Sequence, residues 1–140
     1  MSSPATRAIE TLNLAIPTTV PRIFVPELYN PKSKIVAEAF KKLGGHIANY
    51  TDEALLRELI HEAEGARAVI LRFIWDNIPT SIENGTIVVM SHSVTANFLA
   101  FAFSGFSKTT RDICLLQNLG YCDRFRVCPN GTTEYVPLGS

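Results

Sequence analysis

The alternation of apolar and polar residues predicts three amphipathic helices in the first half of the chain. In each, apolar side chains recur every three or four residues, which places them on one helical face. Ser3 and Pro4 are typical of the start of the first helix, which continues to about Ile16. The second helix follows Ser33 and ends at Gly44-Gly45, and the third runs from Asp52 or Glu53 to Asn77.

A strand, a polar turn and a further helix are predicted next. Ile87 to Met90 is an apolar run rich in β-branched residues, a pattern typical of a strand buried on both faces. Ser91-His92-Ser93 would form the turn, and the apolar block from Val94 to Phe103 would form the helix. An additional short edge strand is predicted over Val20 to Val25.

The end of the chain carries a hairpin signal. Residues 123–128 and 133–137 flank Pro129-Asn130-Gly131, whose turn chemistry tolerates positive φ. Taken together, these elements predict one α/β domain over residues 1–140. We expect a three-layer sandwich in which helices flank a mostly parallel sheet that ends in a C-terminal hairpin.

Composition narrows the class of protein. Of the 140 residues, 46% are hydrophobic and 19% charged, and no apolar run has the length of a membrane span, so we expect a globular chain outside the membrane. Thirteen basic residues balance thirteen acidic ones, which argues against a nucleic-acid partner. The three cysteines lack metal-site spacing, so we expect no metal. With no export signal, a cytoplasmic location is expected.

His92 is the first candidate for chemistry. A turn between a strand end and a helix start favours an anion, because unpaired N–H groups and the helix dipole point at it. His92 could hydrogen-bond or attack a phosphate there, with Ser93 contributing a hydroxyl; alternatively, it is an ordinary histidine in a capping turn. Arg7, near the start of the first predicted helix, is either a solvated side chain or a second anion ligand.

Two motifs resemble the histidine phosphatase superfamily, the phosphoglycerate mutase-like proteins. Residues 2–11, Ser-Ser-Pro-Ala-Thr-Arg-Ala-Ile-Glu-Thr, resemble the family's "SSPxxRAxxT" helix start. Residues 86–93, Thr-Ile-Val-Val-Met-Ser-His-Ser, resemble its "xVVxSHG" strand and turn. The loop at residues 25–29 lies where family members carry an acidic proton donor.

The resemblance implies phosphomonoester hydrolysis through a phosphohistidine, with no cofactor. It assigns Arg7 and His92 to phosphate binding, with Ser93 beside them, and it makes His92 and the acid Glu27 the catalytic candidates. The family's "PxLRE" form would place its glutamate at Asn30 instead. The family's nucleophile lies in an Arg-His-Gly motif, which these 140 residues do not contain, so the expected fold is N-terminally incomplete.

Three functions remain open at this point. The chain could be a weak phosphate binder that keeps half of the family's pocket, taking a phosphorylated small molecule or a phosphoprotein. It could be a shortened form of an active phosphatase. It could also be an interaction module whose open sheet edge pairs with a partner or forms a homodimer.

Overall fold

The computed structural model describes residues 10, 11, 14, 25, 28, 31–81, 87–120 and 123–137. Helices account for most of this part of the chain. They are α1 (Lys34–Leu43), α2 (Glu53–Ser81), α3 (Thr95–Phe103) and α4 (Lys108–Leu115), with a 3-10 turn at Ile47–Asn49 between α1 and α2. Two strands follow, β1 (Arg124–Val127) and β2 (Thr133–Val136).

The expected three-layer sandwich with a mostly parallel sheet is wrong. Within the described ranges the sheet consists of the antiparallel pair β1 and β2 alone. Ile87 to Met90, expected to be a buried strand, forms no strand, and Val88 is 53% exposed. Its β-branched residues favour extended backbone, but a strand also needs a neighbour to share its hydrogen bonds, and no described segment pairs with it.

Three of the helices predicted from apolar periodicity are confirmed. The predicted second and third helices and the helix after the turn correspond to α1, α2 and α3. Helix α2 continues through Gly65 to Ser81. In contrast, α4 is not among the predicted elements. Its N-terminus is capped by Ser107, whose hydroxyl oxygen accepts the Thr109 N–H at 3.3 Å.

The predicted C-terminal hairpin is confirmed. β1 and β2 pair in an antiparallel register with Phe125 opposite Tyr135 and Val127 opposite Thr133. Gly131 in the connecting turn has φ of 88°, the left-handed conformation for which glycine is suited. The Tyr135 hydroxyl donates to the Asp123 carboxylate at 2.6 Å, and this hydrogen bond raises the pKa of Tyr135.

The first predicted helix and the edge strand lie mostly outside the described residues. Within the helix, Glu10, Thr11 and Leu14 are helical. Of the predicted edge strand only Val25 is described; it is buried and lies in no regular element.

The core forms where α2 and α3 pack side by side, with α1 and α4 against them. Apolar residues of α2 at three- and four-residue spacing face the apolar helix α3, as periodicity requires. The main buried cluster comprises Val36, Ala39, Ile47, Tyr50, Leu55, Leu59, Ala63, Val94, Phe98 and Ala102. No described helix is long and apolar enough to span a lipid bilayer.

Candidate functional site

The polar turn at residues 91–94 joins the exposed segment 87–90 to the N-terminus of α3. Ser91, His92 and Ser93 are each half-buried, whereas Val94 is 1% exposed and belongs to the core. Val94 has φ of 71° and ψ of −58°, a conformation that strains a β-branched residue. Such strain persists only where the surroundings hold it, and it is concentrated at functional sites.

Asn97 holds this strained turn. Its side chain is fully buried, and its Oδ1 accepts the Val94 N–H at 3.0 Å. Its Nδ2 donates to the carbonyl oxygens of Cys114 at 2.7 Å and Gln117 at 2.9 Å. One buried amide therefore ties the turn to the end of α4 and the segment after it. Asn97 could not be predicted as part of the site, since an asparagine inside an apolar block carries no sign of its long-range partners.

His92 is positioned by an aromatic row. Its imidazole meets the Phe40 ring edge-on, with centroids 6.3 Å apart, and Phe40 in turn meets Tyr50 at 6.2 Å. The Tyr50 hydroxyl donates to the Gly44 carbonyl at 2.6 Å, and burial raises the pKa of this phenol. The row thus links the imidazole to the end of α1.

The serines on either side of His92 have different surroundings. The Ser93 hydroxyl donates to the Gly45 carbonyl, which ties the turn to the end of α1. The Ser91 hydroxyl is buried and has no hydrogen-bond partner among the described residues. A buried hydroxyl without a partner is uncommon in proteins, since its desolvation is uncompensated. The Ser91 hydroxyl is therefore a candidate hydrogen-bonding group for a ligand at this turn.

The backbone contributes less to an anion site than the sequence pattern predicts. The Val94 N–H is taken by Asn97, and the Ala96 N–H donates to the His92 carbonyl at 2.9 Å. An anion at the start of α3 would therefore depend mainly on the imidazole and hydroxyl groups, with the helix dipole favouring negative charge. No cluster of metal-ligating side chains occurs in the described part of the chain.

Two of the predicted site residues cannot be placed. Arg7 and Glu27 lie outside the described residues, so their distance from His92 stays a prediction. His92 and Ser93 do adjoin one another at the start of a helix, as expected. Glu62 on α2 has a structural role, because its carboxylate accepts the Ser33 N–H at 2.7 Å just before α1.

No protein-family model, curated protein or solved structure matches this chain.

Proposed function

We propose that this chain is a phosphatase-like protein that binds a phosphomonoester at the turn formed by residues 91–95. The observation that carries the proposal is the buried Ser91 hydroxyl, which lies next to His92 before the start of α3 and has no hydrogen-bond partner in the described part of the chain. Imidazole and hydroxyl groups are suitable donors for phosphate oxygens. The sequence resemblance of residues 86–93 to a phosphatase turn supports the same ligand class.

Hydrolysis at this site would need a nucleophile, and His92 is the candidate. Its ring nitrogen would bond to phosphorus while the ester P–O bond breaks and an acid, Glu27 in our proposal, protonates the leaving oxygen. Water would then cleave the phosphohistidine. These 140 residues contain no Arg-His-Gly motif. We therefore expect slow turnover, since removing a covalent nucleophile from a comparable unit costs on the order of 10⁶ in kcat.

The test measures binding and turnover separately on the full chain. Phenyl phosphate is titrated against the protein by NMR, and phosphate release from para-nitrophenyl phosphate is followed in parallel. His92→Gln and Ser91→Ala should each weaken phenyl phosphate binding about tenfold, which corresponds to about one charge-assisted hydrogen bond. His61→Ala is the matched control, because His61 is exposed on α2.

The results distinguish phosphate binding from phosphate ester hydrolysis. Binding that weakens in the two turn variants but not in His61→Ala supports the proposal. Turnover lost in His92→Gln would identify a phosphatase, and Arg7→Ala and Glu27→Gln would then test the two residues outside the described ranges. Absence of phenyl phosphate binding by the folded wild-type chain would contradict the proposal.

A second candidate function is self-association, and the exposed segment 87–89 favours it. Ile87 is 37%, Val88 53% and Val89 38% exposed, and their backbone groups pair with no described residue. An exposed β-branched segment invites pairing with another extended chain. If it mediates self-association, sedimentation velocity should show an oligomer that Val88→Lys dissociates and Ile35→Lys, at a 50% exposed site on α1, leaves intact.

A further inference from the structure

A groove of about 340 Å³ lies between α2, α3 and α4, separate from the polar turn. Leu56 and Ile60, one helical turn apart, line it from α2. Phe98 and Phe101 line it from α3 and are buried beneath it. This volume is within the range of small-molecule sites, which are mostly apolar with a few polar groups.

The side of the groove that α4 forms is positively charged. Lys108, Arg111 and Leu115 follow one another at three- and four-residue spacing, so they share one face of the helix, and all three line the groove. Lys108 and Arg111 are exposed, and neither forms an ion pair with a described residue. The groove thus combines an apolar floor with two cations at its rim.

Phe106 also lines the groove, and its backbone is in a strained conformation. Its φ is 56°, which is unusual for a bulky residue, and it follows Gly105, whose φ is 80°. This backbone sets the Phe106 ring edge-on to Phe101, with centroids 5.1 Å apart. The ring is only half-buried, so it presents an aromatic surface to the groove.

We propose that this groove binds a fatty acid anion, with its alkyl tail on the aromatic floor and its carboxylate between Lys108 and Arg111. Charge complementarity selects this ligand: a neutral alkyl chain would leave both cations unused, and an inorganic anion would leave the aromatic floor bare. The planar guanidinium of Arg111 suits a carboxylate, with which it can form paired hydrogen bonds. This proposal does not depend on phosphate binding at residues 91–95.

The test titrates the full-length chain with sodium decanoate, below the concentration at which it forms micelles, and follows backbone amides by NMR. We expect the largest shifts in α4 and at residues 56–60. Decan-1-ol, which has the same tail without the charge, should bind at least tenfold more weakly. Octanoate and hexanoate should bind progressively more weakly, by up to about fourfold per methylene removed.

Two double variants distinguish a specific effect of Lys108 and Arg111 from a general effect of positive charge. Lys108→Gln with Arg111→Gln should weaken decanoate binding at least tenfold. Lys41→Gln with Lys42→Gln removes the same charge from exposed sites on α1 and should leave it unchanged. All four substitutions lie on exposed side chains, and thermal melts will verify that both variants fold.

Three results would overturn the proposal. The first is equal decanoate affinity in both double variants, and the second is equal affinity for decan-1-ol and decanoate. The third is displacement of decanoate by an acidic amphipathic peptide at a lower concentration than any fatty acid requires. That last result would assign the groove to a protein partner.

Discussion

The buried amide of Asn97 accepts the Val94 N–H at 3.0 Å, so a side chain from within α3 fixes the strained residue that precedes this helix. Through the same amide the turn is bonded to the carbonyl oxygens of Cys114 and Gln117. The conformation of the candidate site therefore depends on α4, although no residue of α4 belongs to it.

Asn97→Ala should lower the free energy of unfolding by about 2–4 kcal/mol, because it leaves the Val94 N–H and two carbonyl oxygens without this partner in a buried environment. Urea unfolding measures the loss. Asn49→Ala is the control: Asn49 is exposed and donates to the Leu43 carbonyl at 3.3 Å, so its replacement should cost well under about 1 kcal/mol. Equal losses in the two variants would contradict the central role of Asn97.

Helices α1, α2 and α3 could be predicted from the sequence because their signals are local, whereas α4 was not predicted. A glycine such as Gly44 after the last turn and a regular apolar spacing act within one element. The hairpin was predicted for the same reason, since Asn130 and Gly131 define its turn.

What could not be predicted depends on residues far apart in the chain. Ile87 to Met90 has the composition of a strand, but strand formation depends on a neighbour that a single segment cannot specify. Asn97 and Glu62 are likewise defined by partners 20 or 29 residues away. The position of His92 at a helix start was predicted, whereas its contact with Phe40 was not.

Glu62 should stabilise α1 from a distance. Its carboxylate accepts the Ser33 N–H and places negative charge at the N-terminus of this helix, where the dipole favours it. Glu62→Ala should cost about 1–2 kcal/mol of unfolding free energy, while Glu62→Gln, which keeps an acceptor oxygen, should cost less than half of that. Glu64→Ala, at an exposed site on α2, should change it by under about 0.5 kcal/mol. A loss of unfolding free energy in Glu64→Ala as large as in Glu62→Ala would contradict this role of Glu62 at the N-terminus of α1.

Two glycines should respond to alanine in opposite directions. Gly65 lies inside α2 with open space around it, so Gly65→Ala should stabilise the protein by about 0.5–1 kcal/mol. Gly44 also has open space, but its φ of 68° and ψ of −151° belong to a region that is almost restricted to glycine. Gly44→Ala should therefore destabilise the protein by about 1–3 kcal/mol. Thermal melts that shift in the same direction for both would contradict this account.

Cys114 and Cys128 should react very differently with alkylating reagents. Cys114 is 0% exposed, and burial raises the pKa of its thiol from 9.0 to about 11, whereas Cys128 is exposed; both are free. Because the thiolate is the nucleophile, iodoacetamide should label Cys128 in the native protein and Cys114 only after unfolding. Peptide mass spectrometry reports each site separately. Rapid native labelling of Cys114 would contradict its burial.

The same pKa difference predicts a loss of stability in alkaline solution. The folded protein keeps the Cys114 thiol protonated up to about pH 11, whereas the unfolded chain ionises it near its ordinary value of 9.0. The contribution of the protonated Cys114 thiol to the free energy of unfolding is therefore complete below about pH 9. It is lost as the pH rises toward about 11, since ionisation then favours the unfolded state. Tyr50 and Tyr135, whose pKa values are also raised, act in the same direction. The effect of Cys114 is isolated by measuring the free energy of unfolding of the wild type and of Cys114→Ala across this pH range. The difference between the two proteins should shrink as the pH rises. A constant difference would show that ionisation of the Cys114 thiol does not contribute.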